Sequence, residues 1–166
     1  MENILEKLDS YNILNNLLPG VILDYLFEKM LGFDLVEGSI LENLFLYYFL
    51  GMIVSRIGSH VIEPICKKIK WVKYADYGDF VKASRIDKKI DMLSEVNNTY
   101  RTLLAGCIIL IGGEAYFLAV SQFNIPTDVN RVVVLGVLTI IFAVSYRKQT
   151  RYVANRVKKV SEENLK

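Results

Sequence analysis

A chain of 166 residues suffices for one domain, and this one is 52% hydrophobic with a mean hydropathy of +0.29, above the roughly 45–50% apolar content of soluble domains. Charged residues still make up 23%, with a net charge of +2, a mixture that suits a membrane protein with a sizeable polar part outside the bilayer. Two cysteines, Cys66 and Cys107, exclude a disulfide framework and a zinc-ligand pattern.

The first sixteen residues lack a basic start and an apolar core, so no secretory signal is expected. The first apolar segment, LLPGVILDYLFEKMLGFDLV at 17–36, contains Asp24, Glu28 and Lys29. It reads as an amphipathic surface helix or as a span whose charged side faces other helices. The second, LENLFLYYFLGMIVSRIGSHVIEPI, predicts a span over 43–63, with Pro64 expected to end or bend the helix. Residues 67–101 are predicted to form a cytoplasmic helical region. The third segment, 103–123, is interrupted only by Glu114 and is long enough to cross a hydrocarbon core of roughly 30 Å. Cys107, inside it, is expected to be a buried hydrophobe. The fourth, 131–146, is shorter, but Arg131 and Arg147 at its ends can snorkel. A short connection containing Pro126 joins these two segments as an antiparallel hairpin, and residues 147–166 form a tail.

Charge asymmetry sets the orientation. The stretch DLVEGSILE (34–42) is acidic, KKIKWVK (67–73) carries four lysines, and RKQTRYVANRVKK is strongly basic. The positive-inside rule then puts 67–101 and the tail in the cytoplasm. The expectation is an all-α polytopic protein of a bacterial inner membrane, with four transmembrane helices, long cytoplasmic extensions of the third and fourth, and both termini cytoplasmic. Three spans follow instead if 17–36 does not cross.

Two apolar seams mark the extensions. Ile86, Ile90, Leu93, Asn97, Tyr100 and Leu104 recur at heptad-like spacing into the third span, and Tyr146, Thr150, Val153, Val157 and Val160 do so out of the fourth. Ordinary packing within one subunit is the commoner meaning of such seams. A subunit or partner interface is the sharper one, with Asn97 fixing register.

The second span carries Arg56, His60 and Glu63 at i,i+4 and i,i+3 spacings. Snorkelling and a salt bridge are the plain explanation. On the same helix Gly51, Ser55 and Ser59 are spaced by four, with Gly58 beside them, a pattern that permits close helix approach. Asp24, Glu28 and Glu114 also need partners. Arg56 with Glu28 or Asp24 is the preferred pair, and Glu114, in the outer half of its span, suits a subunit interface or a water-filled path. Ionisable groups inside a membrane are functional candidates by default.

Catalytic chemistry finds no inventory. The chain has no Gly-rich phosphate loop, GxSxG or HExxH, and its single histidine excludes multi-histidine metal sites. No cofactor, metal or catalytic residue is expected. KKIKWVKY, with Trp71 and Tyr74 among lysines, would suit nucleic acid, but directly after a span it reports topology and anionic lipid instead.

The stretches YNILNNLLPG, YYFLGMIVSRIGS and NNTYRTLL give the chain a resemblance to small multi-pass bacterial membrane proteins encoded beside anti-phage defence genes. Some of these accompany RNA-guided RNA-cutting nucleases and others nucleotide-signalling systems. The resemblance implies a membrane effector or accessory protein that assembles into a homo-oligomer and disturbs membrane integrity when triggered. A small ion channel or transporter is the first alternative. The second is a membrane scaffold recruiting a cytoplasmic partner through 67–101.

Overall fold

The computed structural model describes residues 13–31, 38–123 and 126–164. All regular structure among them is helical. A π-helical turn, Ile13–Leu17, leads into α1 (Leu18–Leu31); α2 covers Ile40–Lys68, α3 Tyr77–Ile86, α4 Lys89–Gln122 and α5 Thr127–Asn164.

The start of α2 is written in the sequence Ser39-Ile40-Leu41-Glu42. The Ser39 N–H donates to Glu42 Oε2 at 2.7 Å, and the Glu42 N–H reaches back to Ser39 Oγ at 3.5 Å, a capping box that starts the helix at Ile40, ahead of the expected span 43–63. The helix also runs past Pro64. It widens into a π-turn over Gly58–Ile62, where the Glu63 N–H donates to the Gly58 carbonyl five residues back. Pro64 then falls in the first turn of the last helical piece, where its missing N–H costs little.

A left-handed residue stops the helix. Lys70 has φ +60°, the Trp71 N–H donates to the Cys66 carbonyl at 2.9 Å, and the Lys70 N–H to the Lys67 carbonyl at 3.1 Å. This is the Schellman pattern, with lysine where glycine is usual. Asp76 caps α3 by accepting from the Gly78 N–H at 2.6 Å. Asp87 Oδ1 accepts from the Lys89 N–H at 2.9 Å at the start of α4. The region expected as one helical extension therefore breaks at Asp87 and Lys88, and the first residue of the predicted seam, Ile86, ends α3 instead of continuing into α4.

Three helices are long and apolar enough to cross a membrane: Ile40–Lys68, Lys89–Gln122 and Val132–Asn155. They contain the expected span 43–63, all but the last residue of 103–123 and all but the first of 131–146. The first expected span, 17–36, has no such helix among the described residues: α1 has 14 residues, about 21 Å at 1.5 Å per residue, and 32–37 lie outside the described residues. In α2 and α4 only 17% of the most apolar window is buried within the chain, so most of that surface needs lipid or another protein.

The chain divides into two units, 1–124 and 125–166. In the first, α1, α2 and α4 pack together with the initial π-turn. Leu23 of α1, Val54 and Ile62 of α2, and Ala105 and Leu110 of α4 form its buried core, with Cys66 at one end. Cys107, expected inside, is exposed in this chain. The pairing order gives the directions. Gly51 of α2 meets Asn16, Gly20 of α1 meets Tyr47, Gly58 meets Arg101, and Gly106 meets Val54 and Leu23. Thus α1 and α4 both run antiparallel to α2. The second unit is the single helix α5, on which Ser145 and Thr150 donate to carbonyls four residues back.

Candidate functional site

The three stretches that carry the resemblance are far apart in the chain and meet in space. Asn15 Nδ2 lies 3.4 Å from Ser55 Oγ. The Thr102 hydroxyl lies 3.2 Å from Asn15 Oδ1 and 2.9 Å from the Asn98 carbonyl, and its one proton serves one of them at a time. Thr102 is fully buried, and Asn15, Asn16, Ser55 and Ser59 are buried around it. Glycines make the approach feasible: a Cβ on Gly51 would overlap the Asn16 carbonyl, and one on Gly20 the Tyr47 carbonyl. Close backbones and short polar side chains are how helices associate where water is absent. The expected packing residues Gly51, Ser55, Gly58 and Ser59 all face this junction or its edge, Gly58 lying against the Arg101 carbonyl and Ala105.

Less than two turns further along α2, a charged cluster follows. Glu63 Oε2 accepts from Arg101 Nη1 at 2.7 Å, and Glu63 Oε1 accepts from Lys67 Nζ at 2.6 Å. The side chains of Glu63 and Arg101 are 10% and 15% exposed, that of Lys67 46%. The first pair is therefore shielded from water and the second half-solvated. Lys67 Nζ also sits 4.1 Å from the centre of the Tyr74 ring, within cation–π range. Beside this cluster opens a cleft of about 160 Å³, bounded by Glu63, Arg101, Trp71, Tyr74 and Tyr100.

The other ionisable candidates lie elsewhere. Arg56 and His60 are half-buried on α2. The π-turn advances each residue by less than an α-helix does, so the 3.6-residue spacing that aligned Arg56, His60 and Glu63 does not carry through it. Among the described residues Arg56 forms no ion pair with Asp24 or Glu28; Glu28 pairs with Lys29 at 2.8 Å. Asp24 is buried between the helices at 7% exposure. Glu114 is half-buried on α4, near Gly112, whose Cα faces open space. Of the seam, Leu93, Asn97 and Tyr100 are exposed on α4, Ile90 is half-buried, and Ile86 is exposed on α3.

Three residues at the centre of this site, Asn15, Arg101 and Thr102, were not singled out by sequence reasoning. Their signal was present: a polar pair before an apolar segment, and an arginine and threonine at the last positions before another. Among the described residues no group of three His, Cys, Asp or Glu side chains is placed to hold a metal.

Fold and site together define a helical chain with three helices of membrane-crossing length and hydropathy, two of which, α2 and α4, are joined to the turn before α1 by a buried polar junction. Comparisons with protein-family models, with curated proteins and with solved structures find no match.

Proposed function

We propose that this chain is a four-span protein of the bacterial cytoplasmic membrane, with both termini cytoplasmic, that assembles into an oligomer and acts as an effector or accessory of anti-phage defence by permeabilising the membrane. Packing of α1 supports the fourth span: it lies antiparallel to α2, with Leu23 against Val54 and Gly106 in the apolar parts of α2 and α4. A helix resting on the membrane surface would not be held there.

The observation that carries the oligomeric reading is the uncovered apolar surface of α2 and α4, of whose most apolar windows only 17% is buried within the chain. The cavity between α1, α2 and α4 is about 50 Å³ and lined by apolar side chains such as Leu23, Val54 and Leu110, about the room of one or two waters. In this reading the solute path runs between copies, with the half-buried Arg56 and Glu114 as ionisable groups that line it.

Membrane potential tests this, using a voltage-sensitive dye in cells expressing the wild type, Arg56→Leu and Glu114→Leu at matched levels. Triggered wild type depolarises the cells, and the variants insert without doing so. If neither wild type nor variants depolarise under phage challenge with the neighbouring genes present, the effector reading fails. The scaffold reading then takes its place. It is favoured by the separately capped helix α3 and by the exposure of Ile86 on α3 and of Leu93 and Tyr100 on α4, in the stretch expected to be cytoplasmic.

A further inference from the structure

The cleft beside Glu63 is built for more than an internal ion pair. We propose that it holds the phosphate of an anionic phospholipid headgroup. This rests on the membrane location of the chain and not on the effector reading.

Depth is the first argument. Arg101 lies two residues before the apolar run of α4 begins at Leu103, and Lys67 opens the basic stretch that ends α2; both pair with Glu63, so the two cations stand at one level. Trp71, Tyr74 and Tyr100 line the cleft at that level, and such amphipathic rings settle at headgroups.

Charge is the second. Residues 63–74 carry four lysines against one carboxylate; Arg101 adds a fifth cation, and Glu63 is already engaged by Lys67 and Arg101. The guanidinium is not saturated, because Arg101 Nε is buried with no hydrogen-bond partner. Nε with a neighbouring Nη is the edge that binds phosphate bidentately. The backbone gives the third argument. Lys70 occupies a left-handed position where glycine would be the unstrained choice, so a positive charge stands here against the conformational preference.

Trp71, the only tryptophan, lines the cleft and reports on it. The full chain in a non-ionic detergent is titrated with short-chain phosphatidylglycerol, with phosphatidylcholine and with inorganic phosphate, following Trp71 fluorescence. Saturable response to phosphatidylglycerol alone is expected. Arg101→Gln, which leaves Glu63 its Lys67 partner, weakens it about tenfold or more, the loss of one charge-assisted hydrogen bond. The exposed pair Lys70→Gly with Lys73→Gln, which disturbs no buried contact, weakens it several-fold, whereas Lys82→Gln leaves it unchanged. An equal response to phosphatidylcholine, or affinity that none of these substitutions alters, overturns the site. Saturation by inorganic phosphate at the same affinity overturns the lipid assignment in favour of a soluble phosphate compound.

Discussion

Gly51 of α2 lies so close to Asn16, in the π-turn before α1, that a single methyl on Gly51 would overlap the Asn16 carbonyl oxygen. That carbonyl belongs to backbone, which cannot swing aside as a flexible side chain would. Gly51→Ala therefore has to push the two elements apart, at a cost of roughly 1–3 kcal/mol or more. Gly112 and Gly136 have open space where a Cβ would go, and alanine there is neutral or stabilising by up to about 1 kcal/mol through helix propensity. Unfolding of the detergent-solubilised protein by increasing SDS would measure both. Equal effects at the three positions would refute the close crossing.

The hydrogen bonds beside that crossing are worth less than their burial suggests. Thr102→Val removes the donor to Asn15 or to the Asn98 carbonyl with little change in shape. Interhelical hydrogen bonds in membrane proteins average about 0.6 kcal/mol and reach about 1.7, so a loss of about 1 kcal/mol is expected. A double-mutant cycle with Asn15→Leu isolates the shared part: the coupling is positive if the junction exists and zero if the residues act independently.

Glu63 and Arg101 respond differently to single and paired substitution. Glu63→Leu leaves Arg101, 15% exposed, without its carboxylate, and breaking one side of a buried pair costs about 3–5 kcal/mol. Replacing both, as Glu63→Leu with Arg101→Leu, restores most of that loss, because apolar packing often matches a buried ion pair. Denaturation of the two variants side by side checks it. A double variant no more stable than the single one would show that the pair is not buried as described.

What the sequence made legible was the class of structure and the packing face, and the reasons are local. Spacing by four on one helix reports a face directly, so Gly51, Ser55 and Ser59 were readable. The Ser39–Glu42 box was also readable as a capping signature, just ahead of the span 43–63 assigned from hydropathy. Periodicity failed where the backbone left the α-helix. The π-turn at 58–62 altered the register between Arg56 and Glu63, and the break at Asp87 and Lys88 cut a seam that had looked continuous. Partners across the chain were not readable at all: Glu63 pairs with Arg101, 38 residues away, and Thr102 reaches Asn15, 87 residues away. No local spacing encodes such pairs.

Lys70 separates stability from binding. Its left-handed backbone, φ +60°, costs a non-glycine residue about 1–2 kcal/mol, and the Schellman hydrogen bonds from the Lys70 and Trp71 N–H groups hold it there. Lys70→Gly removes the strain without touching those bonds, so the chain should become about 1 kcal/mol more stable. The same substitution takes one cation from the position next to Trp71, which lines the proposed headgroup cleft, so affinity for phosphatidylglycerol should fall. Thermal unfolding and the Trp71 titration on one preparation test both, and the two should move in opposite directions. If stability rises and affinity holds, Lys70 contributes nothing to the cleft. If stability falls, the left-handed turn is not the end of α2 in the membrane-bound protein.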